Sequence, residues 1–186
     1  MRFRLRGSAA WRTIPAMLEN VAPSAVAPYP VAVIMERVRL EDRWGTERWD
    51  AKGIVHDPEP AGRGERVIVN EERLTQMVFP GYVLKLHPDE AEGYLYNITS
   101  PQPKVFVMWR VGEDGIARPE SLTVSYHEGA RWMDSEETVG GVALPPDLVP
   151  WIEAFAAAHY RPEPKKKKRY ASSGDKGVAS HREGAK

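Results

Sequence analysis

From Pro30 to Val55 apolar and polar residues alternate with a period of two, which predicts two β-strands joined by a polar turn. Ala32, Ile34, Val38 and Leu40 share one face of the first strand with Glu36, while Arg37 and Arg39 take the other. Glu41, Asp42 and Arg43 form the turn. Gly45, Glu47, Trp49, Ala51, Gly53 and Val55 then alternate against Trp44, Thr46, Arg48, Asp50, Lys52 and Ile54, so Trp44 and Trp49 are expected on opposite faces. One tryptophan is expected in the core beside Gly53; the other is covered by an arm or helix, or is a contact surface.

Further strands are expected at 66–70, 81–86, 93–99, 104–111 and 121–124, each bounded by turn residues. Lys104 to Val111 is apolar on both faces, as a central strand requires. The period then changes. Ser125 followed by Glu128 forms a capping box that opens a short helix with Tyr126, Ala130 and Met133 on one face. Asp134, Glu136 and Glu137 oppose the helix dipole and end that helix by about Ser135. Pro145, Pro146 and Asp147 open a second helix, in which Leu148, Trp151, Ile152, Phe155 and His159 recur at helical spacing before Pro162 and Pro164. The pattern predicts an α+β fold: mainly an antiparallel sheet or small open barrel, with a short helix and a C-terminal packing helix.

The 186 residues, 42% of them hydrophobic, suit one domain. With no cysteine there is no disulfide, thiolate metal site or cysteine nucleophile, and a cytoplasmic location is expected. No apolar run reaches the roughly 20 residues of a membrane span. Arg12 and Pro15 interrupt what would be the apolar centre of a signal peptide. The zero net charge hides an uneven distribution. Residues 1–28 carry four Arg and one Glu, residues 161–186 nine cations and three acids, and residues 29–160 the remaining 13 cations and 22 acids, a balance of −9. The expected organisation is a basic, mostly irregular N-terminal arm (1–28), one folded domain (29–160) and a disordered basic tail (161–186). In the tail Lys165, Lys166, Lys167, Lys168 and Arg169 are five consecutive cations, able to contact a polyanion or an acidic protein partner, or simply to solubilise the chain.

Candidate chemistry is sparse. Glu36 on an apolar face is costly unless satisfied; it either lies at a sheet edge or pairs with an Arg such as Arg48, or it belongs to a polar site. The histidines at 56, 87, 127, 159 and 181 show no metal-binding spacing, and no metal or cofactor is expected. His127 and Arg131 lie four apart on the first helix, a pairing that suits an anion or a partner's carboxylate, or a solvated face. There is no phosphate-cradling glycine loop and no nucleophile elbow. The candidate polar or interaction site is Glu36, Arg37, Trp44, Trp49, His127 and Arg131.

Two blocks, VAVIMERVRLEDRWGTERWDAKGIV and SYHEGARWMDSEETVGGVALPPDLVPWIEAFAAAHYRPEPKKKKR, carry a family resemblance. Glu36-Arg37, Arg43-Trp44 and Trp49 mark the first; Tyr126-His127-Glu128, Trp132, Trp151, His159-Tyr160 and the basic tail mark the second. The chain resembles the bacterial domain of unknown function 3305. That resemblance implies no catalytic residues. Its members tend to be encoded near formate dehydrogenase genes, which implies an accessory role. The leading expectation is a non-catalytic accessory or protein-interaction module linked to formate dehydrogenase maturation or regulation. The alternatives are a nonspecific nucleic-acid-binding protein using the basic tail, which the acidic body opposes, and a small enzyme with a site near Glu36, His127 and Arg131.

Overall fold

The computed structural model describes residues 27–59 and 62–162. The basic arm up to residue 26 and the cluster from Lys165 to Arg169 lie outside the described residues.

The elements follow in the order β1 (Tyr29–Arg39), β2 (Glu47–His56), β3 (Arg66–Asn70), β4 (Leu74–Leu84), α1 (Ala91–Ile98), β5 (Lys104–Val111), β6 (Ala117–Thr123), α2 (Tyr126–Asp134), β7 (Val139–Ala143) and α3 (Val149–His159). The strands form two antiparallel sheets, ordered β2-β1-β4-β3 and β6-β5-β7. β2 runs beside β7, and β4 beside β6, without pairing, so the sheets curl around one core and no barrel closes. The expected α+β class holds.

The core draws Val31, Val33 and Met35 from β1, Val105 and Val107 from β5, and Leu148, Ile152 and Phe155 from the C-terminal helical segment. Burying each such side chain contributes roughly 1.5–3 kcal/mol. The sheets are also stitched by polar bonds. The Trp49 indole N–H donates to the Gly115 carbonyl at 2.9 Å, and the Tyr82 hydroxyl to the Pro119 carbonyl at 2.6 Å.

Three expectations are corrected. The core phase of β1 is Val31, Val33 and Met35, all 0% exposed; of the face expected from the sequence Ala32 is also buried, but Ile34 and Val38 are only half-buried and Leu40 is exposed. The upper half of β1 is apolar on both sides, and the polar end of the strand misdirected the assignment. A bulge between Ile34 and Met35 then resets β2, so that Trp49, Ala51 and Ile54 all lean toward the core although their numbers change parity.

The segment expected as a strand at 93–99 is helix α1. A 3-10 turn from Pro88 to Glu90 leads directly into it, and Ala91, Tyr94, Leu95 and Ile98 face the core at helical spacing. Tyr94 is 1% exposed, accepts the His87 N–H at 2.8 Å, and meets Phe155 edge-on at 6.0 Å. Burial pushes its hydroxyl pKa up to about 12.

Third, the strand expected at 81–86 is the end of the longer β4, and β7 was not foreseen. Pro80 interrupts the strand signal of β4, and a register shift against β1 accommodates its missing N–H. β7 contains Gly140 and Gly141, poor strand formers. Gly140 is needed there, because a Cβ would lie 2.8 Å from the Trp109 ring.

The expected α2 and α3 are present with the foreseen limits. Ser125 Oγ accepts the Glu128 N–H at 3.2 Å, but the return half of the capping box is replaced by Thr123 Oγ1, which accepts the Ser125 N–H at 3.0 Å. β5 is the central strand of its sheet, as its two apolar faces predict. Its Val105, Val107 and Trp109 face the core, while Phe106 turns outward beneath α2.

Candidate functional site

The outward turn of Phe106 creates an apolar groove beside α2. Gly129 of α2 lies directly over its ring, where a Cβ would come within 2.6 Å of Cγ, so only glycine lets helix and ring approach so closely. The row Tyr126, Ala130 and Met133 then runs along α2 at helical spacing beside Phe106, facing Tyr96 of α1. This row is only half covered: Tyr126 is 46% exposed, Met133 48% and Tyr96 61%. The Tyr96 and Tyr126 rings lie 5.2 Å apart, and Phe106 meets Tyr126 edge-on at 6.1 Å. Together these residues line a groove of about 490 Å³ in which Lys104 is the single charged lining residue. The Lys104 stem lies over Gly141, and its ammonium has no ion pair among the described residues.

The wall between α1 and α2 is held by a polar latch. The Ser125 hydroxyl donates to one oxygen of Glu90, and Arg131 Nη2 donates to the other at 2.5 Å. Burial alone would raise the Glu90 pKa, but the Ser125 hydroxyl and the Arg131 guanidinium outweigh it and hold the carboxyl below the ordinary carboxylate range. The Arg131 guanidinium is correspondingly pushed up by its bond to Glu90. His127, one turn before Arg131, places its ring 6.0 Å from Tyr96.

The six residues singled out from sequence divide into separate groups. His127 and Arg131 do share one region, at the head of the groove, but Arg131 is already engaged by Glu90. Glu36 shares no hydrogen bond or ion pair with either. It sits on the outer face of central strand β1, not at an edge, and its partners are Gln76 at 2.6 Å and Lys52 at 3.3 Å rather than Arg48. Arg37 and Trp49 pair across β1 and β2, with the guanidinium 5.7 Å from the ring centroid; Arg37 also donates to Glu47 and Thr75, each at 3.3 Å. Trp49 packs against the core. Trp44 is not in a strand at all: it stands in the β1–β2 turn, 75% exposed, with only the neighbouring Arg43 guanidinium over its ring among the described residues.

Among the described residues no group of three His, Asp or Glu side chains is placed to hold a metal ion, and no helix is long and apolar enough to cross a membrane. Every buried side-chain nitrogen and oxygen there has a hydrogen-bond partner. Sequence reasoning missed Glu90, Tyr96, Lys104 and Phe106. The signal for Glu90 and Tyr96 was the Pro-Asp-Glu helix start at 88–90; for Phe106 it was an apolar outer face on β5 opposite a glycine-bearing helix.

A family model described as a protein of unknown function (DUF3305) matches residues 30–169. The chain belongs to that family. The DUF3305 match spans the groove, the latch and the β1–β2 turn alike, so all three lie within the shared domain. No curated protein and no solved structure matches.

Proposed function

We propose that this DUF3305 chain is a non-catalytic protein-interaction module whose groove between α1 and α2 receives an apolar segment of a protein partner. The observation that carries this reading is the exposure of Tyr96, Tyr126 and Met133 around a Phe106 floor. Contiguous exposed aromatics and methionine mark partner surfaces, because they gain most from desolvation. The charged pair beside the groove is spent on the fold, Arg131 on Glu90. Lys104 at the groove, which has no ion pair among the described residues, selects a segment that places a carboxylate beside its apolar anchors.

The partner we propose belongs to the formate dehydrogenase system, met in the cytoplasm during maturation or regulation; this follows from the family resemblance. In this reading residues 29–160 form the folded body, and the basic segments 1–28 and 161–186 flank it, the tail adding a contact to an acidic surface. Co-purification with the tagged full chain from its native host tests the proposal. Recovery of a dehydrogenase or its maturation factor is the expected result; recovery of polyanion-binding contaminants alone contradicts it.

A further inference from the structure

We propose that the β1–β2 turn, residues 40–46, is a second and preorganised anchor, which inserts Trp44 into an apolar pocket rimmed by carboxylates on a protein partner. The turn is on different elements from the groove, so the proposal stands on its own observations.

The first observation is that the turn is held in one shape. Asp42 Oδ1 accepts the Trp44 and Thr46 backbone N–H groups at 3.2 and 2.8 Å, and Leu40 N–H donates to the Thr46 carbonyl at 2.8 Å. Gly45 takes a φ of +60°, and the Arg39 guanidinium fills the space beneath it, 3.1 Å from where a Cβ would stand. Arg73 pairs with Glu41 across the base of the turn. A turn fixed in this way has paid most of its ordering entropy before any partner arrives.

The second observation is what the turn displays. Trp44 is 75% exposed, and Leu40, beside it in the turn, is 40% exposed. The Arg43 guanidinium lies 4.2 Å from the Trp44 ring centroid. Stacking occupies the face of a guanidinium and leaves its N–H edge free to bind a carboxylate in two-pronged fashion. A depression of about 550 Å³ runs beside the tryptophan, bordered by Leu40, by the cations Arg39, Arg43 and Arg73 and by three acids. Of these acids Asp42 is bound to the turn backbone and Glu41 to Arg73, and Glu72 stands at the rim. Tryptophan and arginine together are the residue types that dominate the energy of protein interfaces.

The third observation is charge. Residues 29–160 hold 22 acids and 13 cations, yet Arg39 and Arg43 have no carboxylate partner among the described residues. In so acidic a body, two unpaired guanidiniums flanking an exposed tryptophan are fitted to carboxylates supplied from outside. The same acidic body repels a phosphate backbone, which favours a protein over a nucleic acid.

The test places photoreactive benzoylphenylalanine at position 44 of the full chain in its native host, with the same residue at the exposed Val67 position as control. The protein crosslinked from position 44 is then purified and its affinity measured for wild type, Trp44→Ala, Trp44→Phe and Arg43→Glu. Trp44→Ala is expected to weaken binding about 30-fold or more. Trp44→Phe retains part of the affinity, and the Arg43→Glu loss is restored by changing a carboxylate at the crosslinked site to Lys. The melting midpoints of all variants stay at the wild-type value. A crosslink yield no higher than at the Val67 position, crosslinking to nucleic acid, or equal affinity of Trp44→Ala and wild type overturns the proposal.

Discussion

Asn97 shows how much of this fold rests on single polar side chains. It is 2% exposed, and its amide donates to the Lys104 and Val124 carbonyls at 2.6 and 2.8 Å while its oxygen accepts the Lys104 N–H at 2.9 Å. One side chain thus joins α1 to the start of β5 and the end of β6. Asn97→Ala leaves three backbone groups without their partner and should cost about 2–4 kcal/mol. Urea unfolding checks this; a loss below about 1 kcal/mol would contradict it. Glu90 makes a pH-dependent contribution. Its folded pKa lies below its ordinary value of 4.5, so its stabilisation is fully present above that value and fades as pH falls through the lower folded one. Glu90→Gln should therefore unfold at a lower urea midpoint than wild type at pH 7, with the gap narrowing below about pH 4.5. A constant gap across pH would mean that the carboxylate charge is not what holds the latch. At this scale the sequence was legible for cost and not for partner. Glu36 announced that something must satisfy it, but Gln76 lies 40 positions away on a strand whose length Pro80 concealed.

Among the elements, β1 is the sharpest test of the packing account, because its two faces look alike in sequence. Met35 is 0% exposed and sits among core side chains, whereas Val38 is half-buried on the outer face. Met35→Ala should lose about 2–5 kcal/mol. Val38→Thr should change stability by under about 1 kcal/mol. Reversal of that order in denaturant unfolding would restore the phase read from the sequence. The helices α2 and α3 were legible because their signals are local: a Ser cap, a Pro-Pro-Asp start, an apolar row at helical spacing. The β5 strand was legible because a short run of Val, Phe, Met and Trp, apolar on both faces and bounded by turn residues, has to be covered on both sides. α1 was not, since Tyr94, Tyr96 and Ile98 alternate like a strand, and only the 3-10 turn before them, together with burial of Ala91, Tyr94 and Leu95, decides for a helix. β7 was hidden by glycines whose reason is a distant tryptophan ring.

Among the described residues, ion pairs tie neighbouring elements together at the surface, and exposed aromatic side chains stand at the groove and at the β1–β2 turn. The groove required three things that no local pattern joins: Tyr96 on a helix that alternates like a strand, Phe106 on the outer face of β5, and Gly129 allowing α2 to settle on that ring. The Trp44 turn was half legible, as a tryptophan in need of a cover or a contact, and the structure leaves it open to solvent. The central claim is that the α1–α2 groove receives the partner, and Met133→Glu addresses it with least disturbance to the core, since Met133 is 48% exposed. The measurement is the affinity of the full-length chain for the partner co-purified from its native host, wild type against Met133→Glu, with the melting midpoint of both recorded. The account predicts at least a tenfold loss of affinity at an unchanged midpoint; equal affinity of the two chains would contradict it.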